Sequence, residues 1–332
     1  MEGRNLTRSE AQQVMSALME GEATPAQIGS LLTLLRMKGE TIDEITGFAE
    51  VMREKSKRVQ TSQEGLLDTC GTGGDGADTF NISTAAAIVA ASGGVRVAKH
   101  GNRAMSSKSG SADVLEALGV NIQINEAQAQ QCLEQVGICF MFAQNYHQSM
   151  RHAAGPRREL GFRTVFNLLG PLTNPAGADR QLMGVYDRSK TEITAFVLRE
   201  LGLKRALVVS SHDGLDEISI SGQTQMTELD EGTISTYHID PDALGLKAHD
   251  LKDIAGGDAA ANAEIIRAIF QGSEGAARDV VLANAGACFY ISGHAGTLQE
   301  GVKKAARTID DGKAMEKLEQ LITCTKELGH VS

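Results

Sequence analysis

Residues 66–119 read LLDTCGTGGDGADTFNISTAAAIVAASGGVRVAKHGNRAMSSKSGSADVLEALG, two loop-and-helix units in succession. In the first unit a short apolar run, Leu66 and Leu67, leads to the glycine-rich residues 71–76. Glycine lets the backbone turn tightly and point its N–H groups at a phosphate without interference from a Cβ atom. Ser83 and Thr84 precede a run of small residues, so we expect them to cap a helix whose positive end also favours an anion.

The second unit brings cations to the same place. Gly93 and Gly94 end the predicted helix, residues 95–98 read as a buried strand, and residues 99–103 (KHGNR) follow. The spacing suits one right-handed β-α-β crossover, which places both loops at the carboxyl ends of neighbouring parallel strands. Open α/β sheets bind ligands at this edge, so we expect the two loops to share one anionic ligand.

Other interpretations of the glycine loop fit less well. Its spacing formally matches the dinucleotide pattern, but that pattern needs a carboxylate about 20 residues further on, where Lys99 and His100 stand. A Walker-type loop needs Gly-Lys-Ser or Gly-Lys-Thr, and this region contains Asp75 and Asp78 instead. Either loop alone could be an ordinary glycine-rich turn. Two loops of complementary chemistry favour an anion site.

These motifs closely resemble the anthranilate phosphoribosyltransferase family, which joins anthranilate to phosphoribosyl diphosphate (PRPP) in tryptophan biosynthesis. Residues 71–84 and 99–119 match its two signature loops almost letter for letter. Residues 215–219 (LDEIS) resemble its metal-binding acidic turn, and residues 157–176 also fit. The resemblance covers essentially the whole chain.

The resemblance implies an α/β fold of the nucleoside phosphorylase/phosphoribosyltransferase type, with a small discontinuous helical lobe and a large α/β lobe around a mostly parallel central sheet. We expect the helical lobe at residues 1–64, with a second helical piece at about 157–180. The PRPP-binding α/β lobe would comprise residues 65–156 and 181–332. In the family, the helical lobe forms the homodimer interface.

Local patterns agree with this division. Capping-box patterns at Thr7 and Thr41, and the pair Thr24-Pro25, predict helices and no strand in residues 1–60. From residue 120 the pattern predicts a strand at 120–124, a helix at 127–136 and a strand at 138–143. We expect residues 222–260 to form strands and loops away from the site.

Carried over position by position, the resemblance implies a PRPP site that spans both loops: Gly71, Gly74, Asp75, Thr79, Asn81, Ile82, Ser83, Thr84, Lys99, His100, Gly101, Asn102, Arg103, Ala104, Met105, Ser106, Ser107 and Ser111. Backbone N–H groups and hydroxyls can hold phosphate oxygens directionally, and Lys99 adds a point charge.

The resemblance also links magnesium, with two ions expected per active site, to Ser83, Asp216 and Glu217. Hard oxygen ligands assisted by substrate phosphates are the usual way to hold this ion. The two carboxylates could instead form a solvated turn, but they follow an apolar strand-like run at 206–209, which leads to the ligand edge of the sheet.

For anthranilate, the resemblance points to Gly71, Asn102 and Arg157. A guanidinium presents a donor fork that matches a carboxylate. Arg158 is adjacent, and only the family register selects Arg157. The amine of anthranilate is neutral at pH 7 and needs orientation more than deprotonation, so we assign no general base and leave the roles of His100 and His147 open.

Composition excludes several classes of function. The formal net charge is −10 and the pI is about 5.4, which disfavours a nucleic-acid partner. The five cysteines lack paired metal-ligand spacing, and the chain shows neither a secretory signal nor a membrane-length apolar run. We therefore expect a cytoplasmic protein with no membrane partner. Cys70, next to the glycine loop, is predicted to be a buried strand-end residue rather than a nucleophile.

Two alternatives stay open at this point. A pyrimidine-nucleoside phosphorylase shares the fold but has different glycine and lysine signatures, and a non-catalytic PRPP-binding homologue is a second possibility. The chain also departs from the family pattern between residues 144 and 156, where Gln148 follows His147 and Gly155-Pro156 precedes the arginine. These differences concern the selectivity for the aromatic substrate.

Overall fold

The structure, a computed structural model, describes residues 3–61, 63–104 and 108–329. Within these ranges seven strands are formed: β1 Leu67–Gly71, β2 Val97–Gly101, β3 Ile138–Phe142, β4 Arg180–Gly184, β5 Arg205–Ser211, β6 Thr224–Asp230 and β7 Thr233–Ile239. The helices of the same ranges are α1 Arg8–Met19, α2 Pro25–Lys38, α3 Ile42–Glu54, α4 Ile82–Ser92, α5 Ser111–Leu118, α6 Glu126–Val136, α7 Ala143–Tyr146, α8 Arg151–Leu160, α9 Phe166–Leu169, α10 Thr191–Glu200, α11 Ala259–Phe270, α12 Ala276–Ile291, α13 Leu298–Asp310 and α14 Lys313–Gly329. Short 3-10 turns lie at Gln148–Met150, Arg188–Lys190, Pro241–Leu244 and Leu251–Ile254.

The three N-terminal helices begin where their caps predict. Thr7, Thr24 and Thr41 each accept a hydrogen bond from the backbone N–H three residues on, and each helix has a complete capping box. These reciprocal bonds satisfy donors that a helix otherwise leaves unpaired at its first turn. The prediction of helices without a strand in this part of the chain is confirmed for its described residues.

The sheet has the order β3-β2-β1-β4-β5-β6-β7. All pairs from β3 to β5 are parallel, and the last two pairs are antiparallel. The expected α/β fold with a mostly parallel sheet is therefore confirmed. From β1 the chain adds β2 and β3 on one side of the sheet, and from β4 it adds β5, β6 and β7 on the other side. The boundary between β1 and β4 is therefore a topological switch point.

Alternating side chains divide the core between the two faces of the sheet. Leu182 and Leu207 lie in the larger apolar cluster, with residues of α4 and α12. Met183 and Val208 lie in the other cluster, with residues of the three N-terminal helices, α9 and α10. Because successive strand residues point to opposite faces, one strand contributes to both cores. The N-terminal helices thus share an apolar core with this face of the sheet, and they pack against one another and against α8, α9 and α10.

One strand prediction was wrong. Residues 120–124 alternate between buried and more accessible side chains, yet they form no strand and precede α6 directly. The Asn121 N–H donates to the Thr325 hydroxyl on α14 (3.1 Å) rather than to a neighbouring strand. The alternation arises because an extended segment packs against a helix. Buried and exposed residues alternate in the same way in a strand of a sheet, so the sequence pattern cannot distinguish the two.

Among the described residues, none of the helices combines the length and apolar character that a membrane crossing requires.

Two glycines set the separation of α12 and α13, which suggests a stability test. A Cβ atom at position 301 would lie 2.2 Å from the carbonyl oxygen of Gly286. Because overpacking is costly, we expect Gly301→Ala to lower the free energy of unfolding by about 2 kcal/mol in denaturant titrations. Gly29→Ala on α2 is the control, since no described atom lies within 4 Å of its added Cβ, and it should raise stability by up to about 1 kcal/mol. Equal stabilities of Gly301→Ala and wild type would contradict this close contact.

Candidate active site

The site lies at the switch point because two strands end in glycine there. Gly71 and Gly184 are the last residues of β1 and β4, and they are paired in register. A Cβ atom at Gly71 would lie 2.4 Å from Oδ2 of Asp216, and one at Gly184 would lie 1.5 Å from the Asp216 carbonyl oxygen. The missing side chains therefore make room for the acidic turn directly above the strand ends.

The glycine loop presents unpaired backbone donors. Gly73, Gly74 and Gly76 have φ values of 65°, 74° and 77°, a region that side-chain-bearing residues rarely adopt. The Gly73 N–H donates to Asp216 Oδ2 (2.7 Å). Within the described ranges, the N–H groups of residues 74–76 donate to no acceptor. Three successive free N–H groups are available to an anion.

The helix after this loop starts earlier than the sequence predicts. Its N-cap is Asn81, and Ser83 and Thr84 lie inside its first turn. The Ser83 N–H donates to Glu217 Oε1 (3.1 Å), so a carboxylate distant in sequence satisfies a donor that a local cap would otherwise take. The prediction that Ser83 and Thr84 are the cap was therefore wrong.

Asn81 connects the two signature loops. Its side-chain amide donates to the carbonyl oxygen of Ser109 (3.0 Å), and its Oδ1 accepts from Asn262 (3.0 Å). Thr79, in the same loop, forms an isolated bridge with Ala255. The expectation that residues 222–260 lie away from the site was wrong in this part, since residues 254–256 bond to residues 78–80.

Lys99 and His100 lie inside β2 rather than after it. Lys99 is only 3% exposed. Its ammonium group donates to the Thr69 carbonyl oxygen and to the Ser83 hydroxyl (3.3 Å). Burial, together with the neighbouring His147, lowers the pKa of His100 well below its ordinary value, so its imidazole is neutral.

Of the other cations in this region, Lys108 lies 4.0 Å from the Asp78 carboxylate of the first unit, whereas Arg103 and Arg96 have other surroundings. The Arg103 guanidinium pairs with Asp113 (2.8 Å) and with Glu116. Arg96 is exposed and precedes β2, at the opposite edge of the sheet. Of the cations in the second unit, Lys99 is the one that contacts the first unit through hydrogen bonds in the described ranges.

The second loop returns closely onto itself. A Cβ atom at Gly101 would lie 2.2 Å from the Ser111 Oγ, and the Ser111 hydroxyl donates to the Asn102 carbonyl oxygen (3.3 Å). The Ala104 N–H donates to Asp113 (2.9 Å). Three predicted PRPP contacts, Met105, Ser106 and Ser107, lie outside the described residues.

Two carboxylates are buried side by side in the acidic turn. Asp216 and Glu217 are each 8% exposed. Burial and the nearby Asp75 raise the pKa of Asp216 to about 7. Burial and the Asp216 charge also raise the pKa of Glu217 well above its ordinary value, against the effect of Lys99. A cation is the natural compensation for such a pair.

The donor set fits a hard divalent ion held partly by a substrate. The described residues contain no group of three or more His, Cys, Asp or Glu side chains that could enclose a metal ion. Asp216, Glu217 and the Ser83 hydroxyl are hard oxygen donors, and magnesium is commonly held by one or two carboxylates plus substrate phosphates and water.

Arg157 and Arg158 differ in their surroundings. Arg157 is half-buried on α8, and its guanidinium lies 5.0 Å from the centre of the Phe166 ring. Burial lowers its pKa, but an arginine stays charged. Arg158 is exposed. Among the described residues, no carboxylate pairs with Arg157, so its donor fork is free for a ligand.

Cys70 has the predicted structural role. Its side chain is buried at the end of β1, and burial raises the pKa of its thiol well above the ordinary value. A thiol that stays protonated is a poor nucleophile.

Sequence reasoning missed three participants. Arg163 lies against Gly74, since an added Cβ there would be 3.1 Å from the Arg163 Nε. Gly184 leaves room for the acidic turn, because it has no side chain. Its position at the end of an apolar run could have indicated the end of a strand at the site. Asp68 is fully buried and accepts a hydrogen bond from the His100 N–H (3.1 Å). Nothing local marked Arg163 or Asp68.

Fold and site together define the class of protein. The model of the "Glycosyl transferase family, a/b domain" matches residues 63–315, and that of the "Glycosyl transferase family, helical bundle domain" matches residues 1–56. The chain is thus a glycosyl transferase.

Relatives specify the family further. Anthranilate phosphoribosyltransferases of Brevibacillus brevis and Acetivibrio thermocellus are 56% and 51% identical over 96% and 98% of this chain and 94% of each relative. The crystal structure of the Thermus thermophilus enzyme matches with a TM-score of 0.93 and 43% identity over 98% of this chain and 97% of that one. The Saccharomyces cerevisiae enzyme in complex with PRPP and Mg matches with a TM-score of 0.87 and 28% identity over 96% and 92% of the two chains. The chain belongs to the anthranilate phosphoribosyltransferase family.

The buried Asp68 gives a pH-dependent prediction. Burial raises its pKa from 3.8 to about 6. The folded state therefore holds the proton more tightly than the unfolded chain, and this stabilisation is complete below pH 3.8 and lost as the pH rises through about 6. A shift of two units corresponds to about 3 kcal/mol, so Asp68→Asn should reduce the loss of unfolding free energy between pH 4 and pH 7 by up to that amount.

Denaturant titrations at the two pH values measure this difference. Asp242→Asn, at an exposed carboxylate, is the control and should follow the wild type. An Asp68→Asn profile parallel to that of the wild type would show that Asp68 is ionised at its ordinary pKa.

Proposed function

We propose that this protein transfers the phosphoribosyl group of PRPP to the amine of anthranilate, giving N-(5-phosphoribosyl)anthranilate and diphosphate in tryptophan biosynthesis. One observation carries this proposal: the glycine loop, with its free N–H donors, lies next to a pair of buried carboxylates at the switch point. Phosphate oxygens and a divalent ion are the groups that such donors and carboxylates bind. Membership of the family supports the same reaction.

In the reaction, the bond between the ribose C1 and the diphosphate oxygen breaks, and diphosphate leaves with the electron pair. The anthranilate nitrogen uses its lone pair to form the new bond to C1 and then loses a proton to solvent. Because this nitrogen is neutral at pH 7, the protein mainly aligns the substrates and stabilises the departing charge. No general base is assigned.

PRPP would span both signature loops. The free N–H groups of residues 74–76 and the N-terminus of α4 would hold phosphate oxygens, and Asn81 fixes the two loops relative to each other. The site comprises the residues inferred from the resemblance: Gly71, Gly74, Asp75, Thr79, Asn81, Ile82, Ser83, Thr84, Lys99, His100, Gly101, Asn102, Arg103, Ala104, Met105, Ser106, Ser107 and Ser111.

Magnesium would be held by Ser83, Asp216 and Glu217, with two ions per site. When bound, it supplies electrostatic stabilisation of the negative charge on the diphosphate. The raised pKa values of the two carboxylates support this assignment, because an adjacent cation offsets the cost of ionising both. The yeast relative in complex with PRPP and Mg supports the choice of ion.

Anthranilate would contact Gly71, Asn102 and Arg157. The free fork of Arg157 suits the substrate carboxylate. A yeast anthranilate phosphoribosyltransferase in complex with 4-fluoroanthranilate, 26% identical with a TM-score of 0.88, binds an analogue of this substrate.

The proposal includes an arrangement of lobes. Residues 1–64 and about 157–180 would form the helical lobe, and residues 65–156 and 181–332 the α/β lobe. One apolar cluster contains residues from α1–α3 and from 165–172, which supports the pairing of the two helical pieces, and residues of β4, β5 and α10 in the same cluster join them to the α/β lobe. The helical lobe would also form a homodimer. Five buried, unpaired cysteines suit a reducing cytoplasm.

The direct test is the fall in anthranilate fluorescence when the purified protein meets PRPP, with the product identified by mass. With magnesium we expect a continuous fall and a product of phosphoribosylanthranilate mass. A metal chelator should abolish the fall, and added magnesium should restore it. A folded protein that binds PRPP but produces no product would reject the proposed reaction.

A comparison of variants at Arg157 and at the neighbouring Arg158 tests which arginine binds the anthranilate carboxylate. Arg157→Ala removes a fork to the substrate carboxylate, worth about 2 kcal/mol, and should raise the KM for anthranilate roughly 30-fold, with the KM for PRPP nearly unchanged. Arg157→Lys should restore little, because an ammonium group lacks the fork. Arg158→Ala, at the exposed neighbour, is the control. An effect confined to PRPP would place Arg157 on the other substrate.

A further inference from the structure

A second cationic site lies beside the glycine loop. A cavity of about 300 Å³ is lined by Arg36 from the last turn of α2, by Arg163 and by Arg188. Residue 186, two residues after β4, and residues 210–211, at the end of β5, also line the cavity. We name this cavity, with its three arginines, the arginine cleft.

The cleft contains unused donors. Within the described ranges, none of these three guanidinium groups makes a hydrogen bond or an ion pair within 4 Å, and Arg36 interacts electrostatically with Asp187 at longer range. Arg163 is held by stacking, with its guanidinium 4.4 Å from the centre of the Tyr186 ring. Asp187 is the one carboxylate among the lining residues. Three positive charges against one negative charge leave the cleft cationic.

A buried hydroxyl in the same cavity points independently to a ligand. Ser210 lines the cleft and is only 1% exposed. Its hydroxyl makes no hydrogen bond to a described residue, and its oxygen is still reached by solvent from the cavity. Buried polar side chains normally have a partner, so this one is available to a group that enters the cleft.

The cleft adjoins the proposed diphosphate site. Arg163 lies on Gly74 of the glycine loop, as its 3.1 Å approach to an added Cβ shows. The Thr72 hydroxyl of the same loop accepts a hydrogen bond from the Tyr186 N–H (3.1 Å). An anion at the loop and an anion in the cleft would therefore be neighbours, with Arg163 between them.

We propose that the arginine cleft binds the diphosphate released in the reaction and forms its exit from the glycine loop. This inference rests on the proposed function. Guanidinium groups bind phosphate oxygens in bidentate pairs, and diphosphate offers oxygens at both ends to more than one arginine. Arg36 and Arg188 would hold the outer phosphate, while Arg163 and the Ser210 hydroxyl lie at the inner part of the cavity.

The test is a calorimetric titration of the full-length protein with sodium diphosphate in the presence of a metal chelator. The chelator removes the magnesium that the glycine-loop site needs. We expect the wild type to bind diphosphate, and Arg36→Gln with Arg188→Gln to weaken binding about tenfold or more, since two charge-assisted contacts are lost. Both residues are exposed, so the variant should fold. Arg96→Gln is the control for a separate cationic cavity, which Arg96 lines with Arg180 and Lys204, and it should bind diphosphate as the wild type does.

Inhibition of turnover by added diphosphate gives a second readout, in which the inhibition constant should rise by a similar factor in the double variant. No magnesium-free binding, or equal affinities of the wild type and the double variant, would overturn the proposal. The turnover assay is separate. Its failure would reject the transferase reaction and the exit role, whereas normal turnover with equal diphosphate affinities would reject the cleft alone.

Discussion

The buried ammonium group of Lys99 is the interaction on which the site depends. It joins β2 to the carbonyl of Thr69 in β1 and to the hydroxyl of Ser83 in α4. Its charge also lowers the pKa of the buried Asp68 and Glu217, against the larger effect of burial. Ions removed from water cost several kcal/mol each unless they are compensated. The Lys99 side chain therefore links β1, β2 and α4. It also reduces the free-energy cost of burying the ionised carboxylates nearby.

The same site depends on the absence of side chains at the strand ends. Gly71 and Gly184 are register partners, and each admits a different part of Asp216. Asp216 in turn accepts the Gly73 N–H, and Glu217 accepts the Ser83 N–H. The acidic turn thus shapes both the glycine loop and the start of α4. These hydrogen bonds join the loop proposed to bind phosphate to the turn proposed to bind magnesium, so we expect a change in either to displace the other.

The parts of the structure that were predictable from sequence are those with local causes. Thr7, Thr24 and Thr41 carry their caps within three residues, and the glycine loop with its crossover lies within 40 residues of chain. Predictions failed where a distant residue supplied the partner. Ser83 is no cap because Glu217 takes its N–H, and residues 120–124 form no strand because α14 satisfies the backbone at Asn121. The contact of Arg163 with Gly74 joins segments 89 residues apart and left no local pattern.

Stacking rather than ion pairing positions two arginines that we propose bind ligands. Arg157 lies over Phe166 and Arg163 over Tyr186, and neither has a carboxylate partner in the described ranges. An aromatic ring orients a guanidinium through its face and leaves the N–H donors at its edge available. Arg103 also lies over a ring, that of Phe142 (5.5 Å), but Asp113 and Glu116 already occupy its donors. A ligand that binds Arg103 must displace these carboxylates, whereas one that binds Arg157 or Arg163 displaces only water. Phe166, which also packs in the core, and Tyr186 therefore orient the two guanidinium groups and leave their N–H donors available.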